Sequence, residues 1–348
     1  MTTRCISVCA ALAFLCLAAP AQAASDGWER VPLADALAKA GKSGKMVIVD
    51  VYADWCGPCQ RYDSEVFVQD DVKAILDEAI TVKIDGEKGE GPAVVEKYHV
   101  VGYPTILFLK ADGTEVDRIF GFRHPEPFKA EASDLLSGRR TLAVMRRELE
   151  AGPGDNDLRY KVGEKLAIRG DTDAALDVFR PIFDDDPENR AGYRPRVHYL
   201  LGKYAYLRGK KDYAKAVEQF QTLIDKYPDS PEADKAPYSL ARAWFKAGNP
   251  DKARGTFEAW IAQNPDDVGR YNSAAWFCFK NNFDLDRAAK LARDGLKKDP
   301  KASFLWDTLA EIEYAQGNKK AARTAIKEAI KVAPGDPYYK KQLKKFKR

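Results

Sequence analysis

Hydrophobic residues form two different patterns along the chain. In the first half, a nearly continuous apolar run at residues 46–52 predicts a strand that is buried on both faces of a sheet. Residues 79–85 and 105–109 predict two further strands, and an Asp-Gly turn leads into a fourth at residues 114–120. Helical patterns lie between the first three strands. Alternating helix and strand followed by a hairpin predicts an α/β sandwich.

In the second half the pattern becomes helical and repeats itself. Prolines that close helices recur 41, 37, 35 and 34 residues apart, and each follows a small turn residue by 17 or 19 positions. This spacing predicts about five helical hairpins, enough to bury a continuous core between neighbouring units. The prolines are Pro187, Pro228, Pro265, Pro300 and Pro334.

These patterns divide the chain into four predicted segments. Residues 1–23 combine one arginine, an apolar stretch and a small-residue cleavage site, which is typical of a secretory signal peptide. The alternative is an uncleaved membrane anchor, for which the apolar stretch is short. Residues 24–138 form the predicted α/β domain, residues 139–154 a linker with a Gly-Pro-Gly break, and residues 155–348 the helical repeats.

Charge differs between the two predicted domains. Residues 24–138 contain 13 Lys or Arg against 21 Asp or Glu, whereas residues 139–348 contain 42 against 31. An acidic N-terminal segment followed by a basic C-terminal segment favours two folding units that bind each other or different partners. The overall 31% of charged and 45% of hydrophobic residues exclude wholesale disorder and a polytopic membrane protein. We interpret the basic tail at residues 340–348 as a solvated helix end, with nucleic-acid or anionic-membrane binding as weaker alternatives.

Three of the six cysteines would leave with the signal peptide. Cys56 and Cys59 remain as a Cys-X-X-Cys pair and Cys278 stands alone, which is a poor structural framework for an exported protein. The pair therefore indicates redox chemistry. A zinc site would need two more ligands, and the three histidines show no metal-like spacing, so we expect neither a metal nor another cofactor. Cys278 is expected to be a small buried core residue.

The cysteine pair lies where the first strand meets a helix. A thiolate attacks disulfides, so a redox cysteine needs a lowered pKa and access to its substrate. Cys56 at the helix N-terminus faces free N–H groups and the positive end of the helix dipole, which both favour the thiolate. Cys59, one turn further on, is expected to be shielded and to attack only after a mixed disulfide has formed.

The segment WCGPC after a buried strand, together with Tyr103-Pro104-Thr105 at the start of the next central strand, resembles the thioredoxin superfamily. The resemblance implies a cis bond before Pro104, which faces the cysteine pair and exposes the Tyr103 backbone to an extended peptide. The alternative is a trans proline that starts a strand. The predicted substrate-binding residues are Trp55, Gly57, Pro58, Tyr103 and Pro104.

Residues 45–122 resemble more narrowly the C-terminal catalytic domain of the membrane thiol reductase DsbD, although the Cys-Gly-Pro-Cys tetrapeptide is that of thioredoxin. The second half resembles tetratricopeptide (TPR) repeats, most clearly in its last unit. The expected fold class is an α/β thioredoxin-like domain followed by an all-α TPR solenoid. Thioredoxin lies at the reducing end of the potentials of such proteins, so the resemblance favours a reductase.

Asp50 is a carboxylate inside the apolar first strand, where burial raises its pKa. It precedes Cys56 by six residues, as does the buried acid of thioredoxins, and the resemblance implies that it serves Cys59 as a general base. A lysine often accompanies that acid. The position aligned with that lysine is Thr81, and Lys83 lies two residues further on. The sequence therefore does not identify the partner of Asp50.

We therefore predict a periplasmic protein-disulfide reductase with the catalytic residues Cys56, Cys59 and Asp50. Its repeats would recruit a partner or client protein, and a membrane thiol reductase of the DsbD kind would donate electrons. Export argues against a nucleic-acid partner. The motif does not set the direction of exchange, so an oxidase or isomerase is an alternative. Another is a non-catalytic TPR assembly scaffold with a thioredoxin-like docking module.

Overall fold

The computed structural model describes residues 27–152 and 155–347. These residues divide into two compact units, and the boundary falls between Gly152 and Pro153. The predicted signal peptide at residues 1–23 lies outside the described residues. Among the described residues, no helix combines the length and the apolar character that crossing a membrane requires.

The first unit is built on a four-stranded mixed sheet. Its order is β2-β1-β3-β4, with β1 parallel to β2 and antiparallel to β3, and β3 antiparallel to β4. The strands are β1 (Val47–Tyr52), β2 (Ile80–Asp85), β3 (Thr105–Leu109) and β4 (Glu115–Phe120). The helices are α1 (Leu33–Ser43), α2 (Gly57–Arg61), α3 (Asp70–Leu76), α4 (Gly91–Lys97), α5 (Pro125–Leu136) and α6 (Leu142–Ala151), and α2 continues into a π-helical turn at Tyr62–Val66.

Side chains on both faces of the sheet are buried, because helices cover each face. Ile48 and Phe108 point into a core with α3, α5 and the π-helical turn, whereas Val49 and Leu107 point into a core with α1 and α4. This two-sided burial explains the apolar run in β1. Asp50 follows Ile48 by two residues and therefore shares its face.

The predicted linker at residues 139–154 contains the helix α6. The Thr141 hydroxyl accepts a hydrogen bond from the Val144 N–H and caps this helix. The Leu142 N–H donates to the Asp117 carboxylate at 2.7 Å, and Met145 is buried. The first unit therefore extends through most of the predicted linker to Gly152.

The second unit is helical in its described part and consists of five successive helix pairs and a final helix. The pairs are α7 (Asn156–Ala167) and α8 (Thr172–Asp185), α9 (Tyr193–Leu200) and α10 (Tyr213–Lys226), α11 (Pro231–Lys246) and α12 (Pro250–Gln263), α13 (Val268–Lys280) and α14 (Leu285–Lys298), and α15 (Ser303–Ala315) and α16 (Lys319–Val332). Between α9 and α10, a π-helical segment at Leu201–Lys210 prolongs α9, and α17 (Pro337–Phe346) ends the unit.

Small residues let the two helices of a pair approach each other. A Cβ atom added at Gly202 would lie 2.9 Å from the ring of Phe220, and one at Gly163 would lie 2.3 Å from the ring of Phe179. In the first two pairs, a glycine of the first helix or its extension is thus packed against an aromatic ring of the second helix. Cys278 is buried in the core of α13, where burial raises the pKa of its thiol to about 12.

Candidate active site

Cys56 and Cys59 form a disulfide at the junction of β1 and α2. Cys56 is the N-cap residue of α2, and its Sγ accepts a hydrogen bond from the Cys59 N–H at 3.2 Å. Two intervening residues bring the Cα atoms to 5.2 Å, within the range that a disulfide requires. The structure therefore places the pair at the strand-to-helix junction that the sequence predicts.

Both cysteines are buried in this oxidised form. Only 2% of Cys56 and 3% of Cys59 is exposed, and the pair packs against Ala53, Tyr52 and Tyr103. The predicted accessibility of Cys56 is therefore not seen here, and exposure does not distinguish the two sulfurs. What distinguishes them is position, because Cys56 is the helix cap and its sulfur already accepts a backbone N–H.

Pro104 follows a cis peptide bond, as the resemblance to thioredoxins implies. The Pro104 carbonyl accepts a hydrogen bond from the Gly121 N–H at 2.9 Å, which holds the start of β3. Tyr103 packs against the cysteine pair, and its ring lies directly over Gly86, where an added Cβ would meet its hydroxyl at 2.5 Å. Tyr103 and Pro104 are thus brought to the cysteines by the sheet.

Three further predicted residues surround the pair at the surface. Trp55 is 63% exposed, its indole N–H donates to Glu87 at 2.9 Å, and its ring meets Tyr103 edge-on at 6.1 Å. Gly57 and Pro58 are exposed as well. An apolar rim of exposed residues around a buried disulfide is suited to binding a peptide before exchange begins.

Lys83 is the partner of Asp50 that the sequence leaves open. In the parallel β1-β2 pair Asp50 lies beside Lys83, whereas Thr81 lies beside Ile48 and donates its hydroxyl to the Gly27 carbonyl. The Lys83 Nζ is 3.0 Å from the Asp50 Oδ2, and both side chains are almost completely buried. The two charges therefore form an ion pair inside the core.

Asp63 in the π-helical turn binds the other side of Lys83. Its side chain is half exposed, so Lys83 connects the buried Asp50 with a carboxylate that reaches solvent. Aromatic rings surround the ammonium group at 5.3 to 5.7 Å from their centroids, and they are those of Trp28, Tyr52 and Phe67. Asp63 was not singled out in the sequence, although it follows Cys59 by four residues, a spacing that brings side chains together on a helix.

Burial raises the pKa of Asp50 above its usual range, and the attraction of Lys83 opposes this effect without cancelling it. Burial would lower the pKa of Lys83, but the charges of Asp50 and Asp63 outweigh it and raise that pKa. Asp50 can therefore accept a proton nearer to neutral pH than an ordinary aspartate.

In the described part of the chain, no three His, Cys, Asp or Glu residues come together in a way that could hold an ion. His198 lies in α9 of the second unit, with its Nδ1 2.9 Å from the Gln219 amide oxygen.

Comparisons with known families agree with the two folds. A model described as thioredoxin-like matches residues 28–111, and models described as tetratricopeptide repeat match residues 169–231, 207–275 and 281–337. The chain carries a thioredoxin-like domain followed by TPR repeats. Because that domain holds the Cys56–Cys59 disulfide, it is of the thiol–disulfide oxidoreductase type.

Each of three relatives covers only part of this chain. The thiol:disulfide interchange protein DsbD of Colwellia psychrerythraea is 33% identical over 109 residues, which are 30% of this chain and 18% of that protein. A thioredoxin H-type of Oryza sativa subsp. indica is 42% identical over 87 residues, which are 25% of this chain and 66% of that protein. The crystal structure of a TPR protein from Parabacteroides merdae aligns with a TM-score of 0.40 at 18% identity, and it covers 64% of this chain and 81% of that chain.

Proposed function

We propose that the chain is an exported protein-disulfide reductase whose TPR repeats recruit a partner or client protein. The observation that carries the proposal is the Cys56–Cys59 disulfide, capped on α2 and packed against the residue that precedes cis-Pro104. Similarity to DsbD and to thioredoxin supports the same chemistry. The buried Asp50 and Lys83 beside the active-site strand supply a proton acceptor that a mere docking module does not need.

The reaction begins from the dithiol form. The Cys56 thiolate attacks one sulfur of a client disulfide, forms a mixed disulfide and releases the first client thiolate. Cys59 then loses its proton and attacks the Cys56 sulfur, which releases the second client thiolate. Two electrons pass to the client, and the protein is left with the Cys56–Cys59 disulfide that the structure contains.

The helix position favours Cys56 as the attacking residue. Its Sγ accepts the Cys59 N–H at the start of α2, and the same donor would stabilise a thiolate. Asp50 takes the proton from Cys59 during the second attack, because its raised pKa lets it hold that proton and pass it on. Lys83 and Asp63 link Asp50 to solvent.

The substrate surface is the rim around the disulfide. An extended client segment lies against the backbone of Tyr103 beside Pro104, while Trp55, Gly57 and Pro58 contact its side chains. Cys56 is buried in the disulfide form, so the dithiol form that starts the reaction would have to expose its sulfur to the bound client. Because the client segment must be extended, flexible or partly unfolded clients would bind better than compact ones.

The proposed export rests on the predicted signal peptide. An exported reductase needs an electron donor. A reductase in an oxidising compartment must be reduced again after each turnover, and we expect the electrons to come from another protein. A membrane thiol reductase of the DsbD kind would provide a dithiol for this step, and its product would be a disulfide. The site of action would be the periplasm.

A trapping experiment tests the proposal. With Cys59→Ala the second attack cannot occur, so clients should remain attached to Cys56 as mixed disulfides that dithiothreitol releases. The matched control is Cys56→Ala/Cys59→Ala, which should retain none of them. Clients recovered equally well from the control would bind without exchange and would favour the scaffold function instead.

The direction of thiol–disulfide exchange requires a second measurement. Equilibration of the full chain with glutathione buffers gives the reduction potential of the Cys56/Cys59 couple. We expect a value near that of thioredoxin, about −270 mV. A value near that of DsbA, about −120 mV, would make the protein an oxidase, and one near that of protein disulfide isomerase, about −180 mV, an isomerase.

A further inference from the structure

Positive charge in the second half of the chain is concentrated at its C-terminal end. Residues 319–348 contain 11 Lys or Arg against 2 Asp or Glu, whereas residues 139–318 contain 31 against 29. The last 30 residues therefore carry most of the net charge of this half. Cations collected in one region create a local field that attracts anions, which evenly mixed charges do not.

The last helix, α17, presents lysines on one side. Residues 340, 341, 344 and 347 fall within about 120° of one another around a helix axis. All four are exposed lysines, and the opposite side carries Tyr339 and Phe346, which are buried. We call Lys340, Lys341, Lys344 and Lys347 the basic face.

The basic face has a fixed orientation because α17 is docked on α15. The ring of Phe346 packs against that of Tyr314, with 5.1 Å between the two centres. The Lys345 Nζ donates to both oxygens of the buried Glu311 carboxylate at 2.6 Å. The lysines of the basic face thus stand on an ordered helix that the core of the repeats holds in place.

The charges of the basic face are not neutralised within the described residues. None of its four lysines comes within 4.0 Å of a carboxylate there, whereas Lys345 on the same helix does. On the neighbouring helix α16, Lys320 and Lys327 are also exposed and lack such a partner in the same part of the chain, while Lys331 pairs with Glu328. The ammonium groups are therefore available to an external anion.

Exposed apolar side chains lie where α16 is joined to α17. Val332, the last residue of α16, is 38% exposed, and Tyr338 in the first turn of α17 is 44% exposed. Lys331 precedes the first of them, and Lys340 follows the second by two residues. Aliphatic and aromatic side chains beside lysines are typical of surfaces that contact the headgroup region of a membrane.

The residue type of the basic face also favours phosphate headgroups. The face consists of lysine alone. A lysine ammonium attracts phosphate as a point charge, whereas arginine provides the bidentate geometry that recognises one carboxylate. Lysines on an open helix face can approach many headgroups of a flat surface at once, and each contributes about fivefold to the partition coefficient.

We propose that the basic face and Val332 bind the anionic headgroups of a membrane surface, with the ammonium groups on lipid phosphates and Val332 in the interfacial region. The contact is peripheral, because α17 stays docked on α15. The proposal deepens the proposed function, since a chain held at the membrane would meet a membrane-bound electron donor at a higher effective concentration. It rests on that function only for this role, because lipid binding itself requires no redox step.

The test measures co-sedimentation of the full chain with vesicles of phosphatidylcholine and of an equimolar mixture of phosphatidylcholine and phosphatidylglycerol. The chain should bind only the anionic vesicles, and added salt should weaken the binding. Lys340→Gln/Lys341→Gln/Lys344→Gln/Lys347→Gln should lower the partition coefficient about 100-fold or more. Residues 1–23 are the same in every variant, so their apolar stretch does not affect this comparison.

A charge-matched control separates the basic face from the general attraction of a basic domain. Arg180→Gln/Arg190→Gln/Lys290→Gln/Lys298→Gln removes four cations that each pair with a carboxylate, so the net charge changes equally. This control should bind anionic vesicles almost as the unmodified chain does. Equal weakening in both quadruple variants would overturn the proposal, as would equal binding of neutral and anionic vesicles.

Other anions and the apolar contact are tested in the same assay. Polyglutamate and double-stranded DNA carry negative charge without an apolar layer, and either one binding more tightly than the anionic vesicles would overturn the proposal. Val332→Ser should weaken vesicle binding about threefold, because apolar area is lost from the interface. An unchanged partition coefficient in Val332→Ser would overturn this mode of contact.

Two further measurements exclude indirect effects. The same four lysines changed to arginine keep the charge and should bind as the unmodified chain does, so loss of binding in that variant would also overturn the proposal. Reduction of a small aromatic disulfide by the Cys56/Cys59 dithiol without vesicles should be unchanged in the glutamine variant. Failure of lipid binding is therefore distinct from failure of the proposed function.

Discussion

Lys83 lies beside Asp50 in the parallel pair of central strands, and its ammonium nitrogen is 3.0 Å from the Asp50 carboxylate inside the core. A buried pair of this kind contributes little net stability, but removal of one member is costly because the other charge stays buried. Asp63 extends the pair towards solvent. Substitutions at these three residues should therefore change stability and the pH profile of exchange in different directions.

Replacement of Lys83 should destabilise the first unit strongly. Lys83→Met leaves Asp50 buried without its cation, and we expect the free energy of unfolding at neutral pH to fall by about 3–5 kcal/mol. Urea unfolding followed by circular dichroism measures this. Asp50→Asn/Lys83→Met should recover much of the loss, because no unpaired charge remains. A double variant as unstable as Lys83→Met would show that Lys83 acts through packing alone.

Asp50→Asn should change stability by an amount that depends on pH. The folded-state pKa of Asp50 is raised, so the folded protein binds more protons than the unfolded chain between the two pKa values. Stability of the unmodified chain therefore falls as pH rises from the unfolded value through the folded one. Asparagine removes this term, so the stability of Asp50→Asn relative to the unmodified chain should rise across that window and then stay constant. A difference in stability that is the same at every pH would contradict the raised pKa.

The same substitution should slow thiol exchange. Without a general base for Cys59, we expect the turnover of an insulin-reduction assay at neutral pH to fall about 100-fold. Glu substitution at the exposed Asp54, which pairs with Lys88, provides the control and should leave turnover unchanged. Exchange rates for Asp50→Asn that equal those of the unmodified chain across neutral pH would exclude Asp50 from the reaction.

Asp63→Asn should shift the pH profile of exchange to lower pH. The charge of Asp63 raises the pKa of Asp50, and its removal also leaves Lys83 to Asp50 alone, so both effects lower that pKa. Because the Asp63 side chain is half exposed, the loss of stability should stay below about 1 kcal/mol. Lys83→Met should move the profile in the opposite direction. Parallel shifts in the two variants would refute a coupled triad.

Much of this site could be predicted from the sequence, and what was missed has physical causes. A two-sided apolar strand followed by WCGPC locates Cys56 and Cys59, and a lone carboxylate among apolar residues marks Asp50. Choosing between Thr81 and Lys83 requires the register of two parallel strands, which depends on the whole crossover between them. Asp63 follows Cys59 at helical spacing, but its ion pair with Lys83 depends on the π-helical turn and on the neighbouring strand, which the sequence does not show.

In the repeats, too, local patterns could be predicted from the sequence and contacts between helices could not. Prolines and turn residues at regular intervals predict the helix pairs, but the close approach of Gly202 to the Phe220 ring forms only when the helices pack. The helix α6 was missed for a different reason. Its cap at Thr141 is local, but its contact with Asp117 is tertiary, and the adjacent Gly-Pro-Gly sequence is typical of a linker.

Close packing within the repeats predicts a contrast between two glycines. Gly202→Ala places a Cβ 2.9 Å from the Phe220 ring and should destabilise the second unit by about 1–3 kcal/mol. Gly255→Ala in α12 meets nothing within 4 Å and should stabilise it by up to about 1 kcal/mol, because alanine favours the helix. Thermal unfolding of both variants measures the difference. Equal effects would mean that the ring of Phe220 moves aside freely.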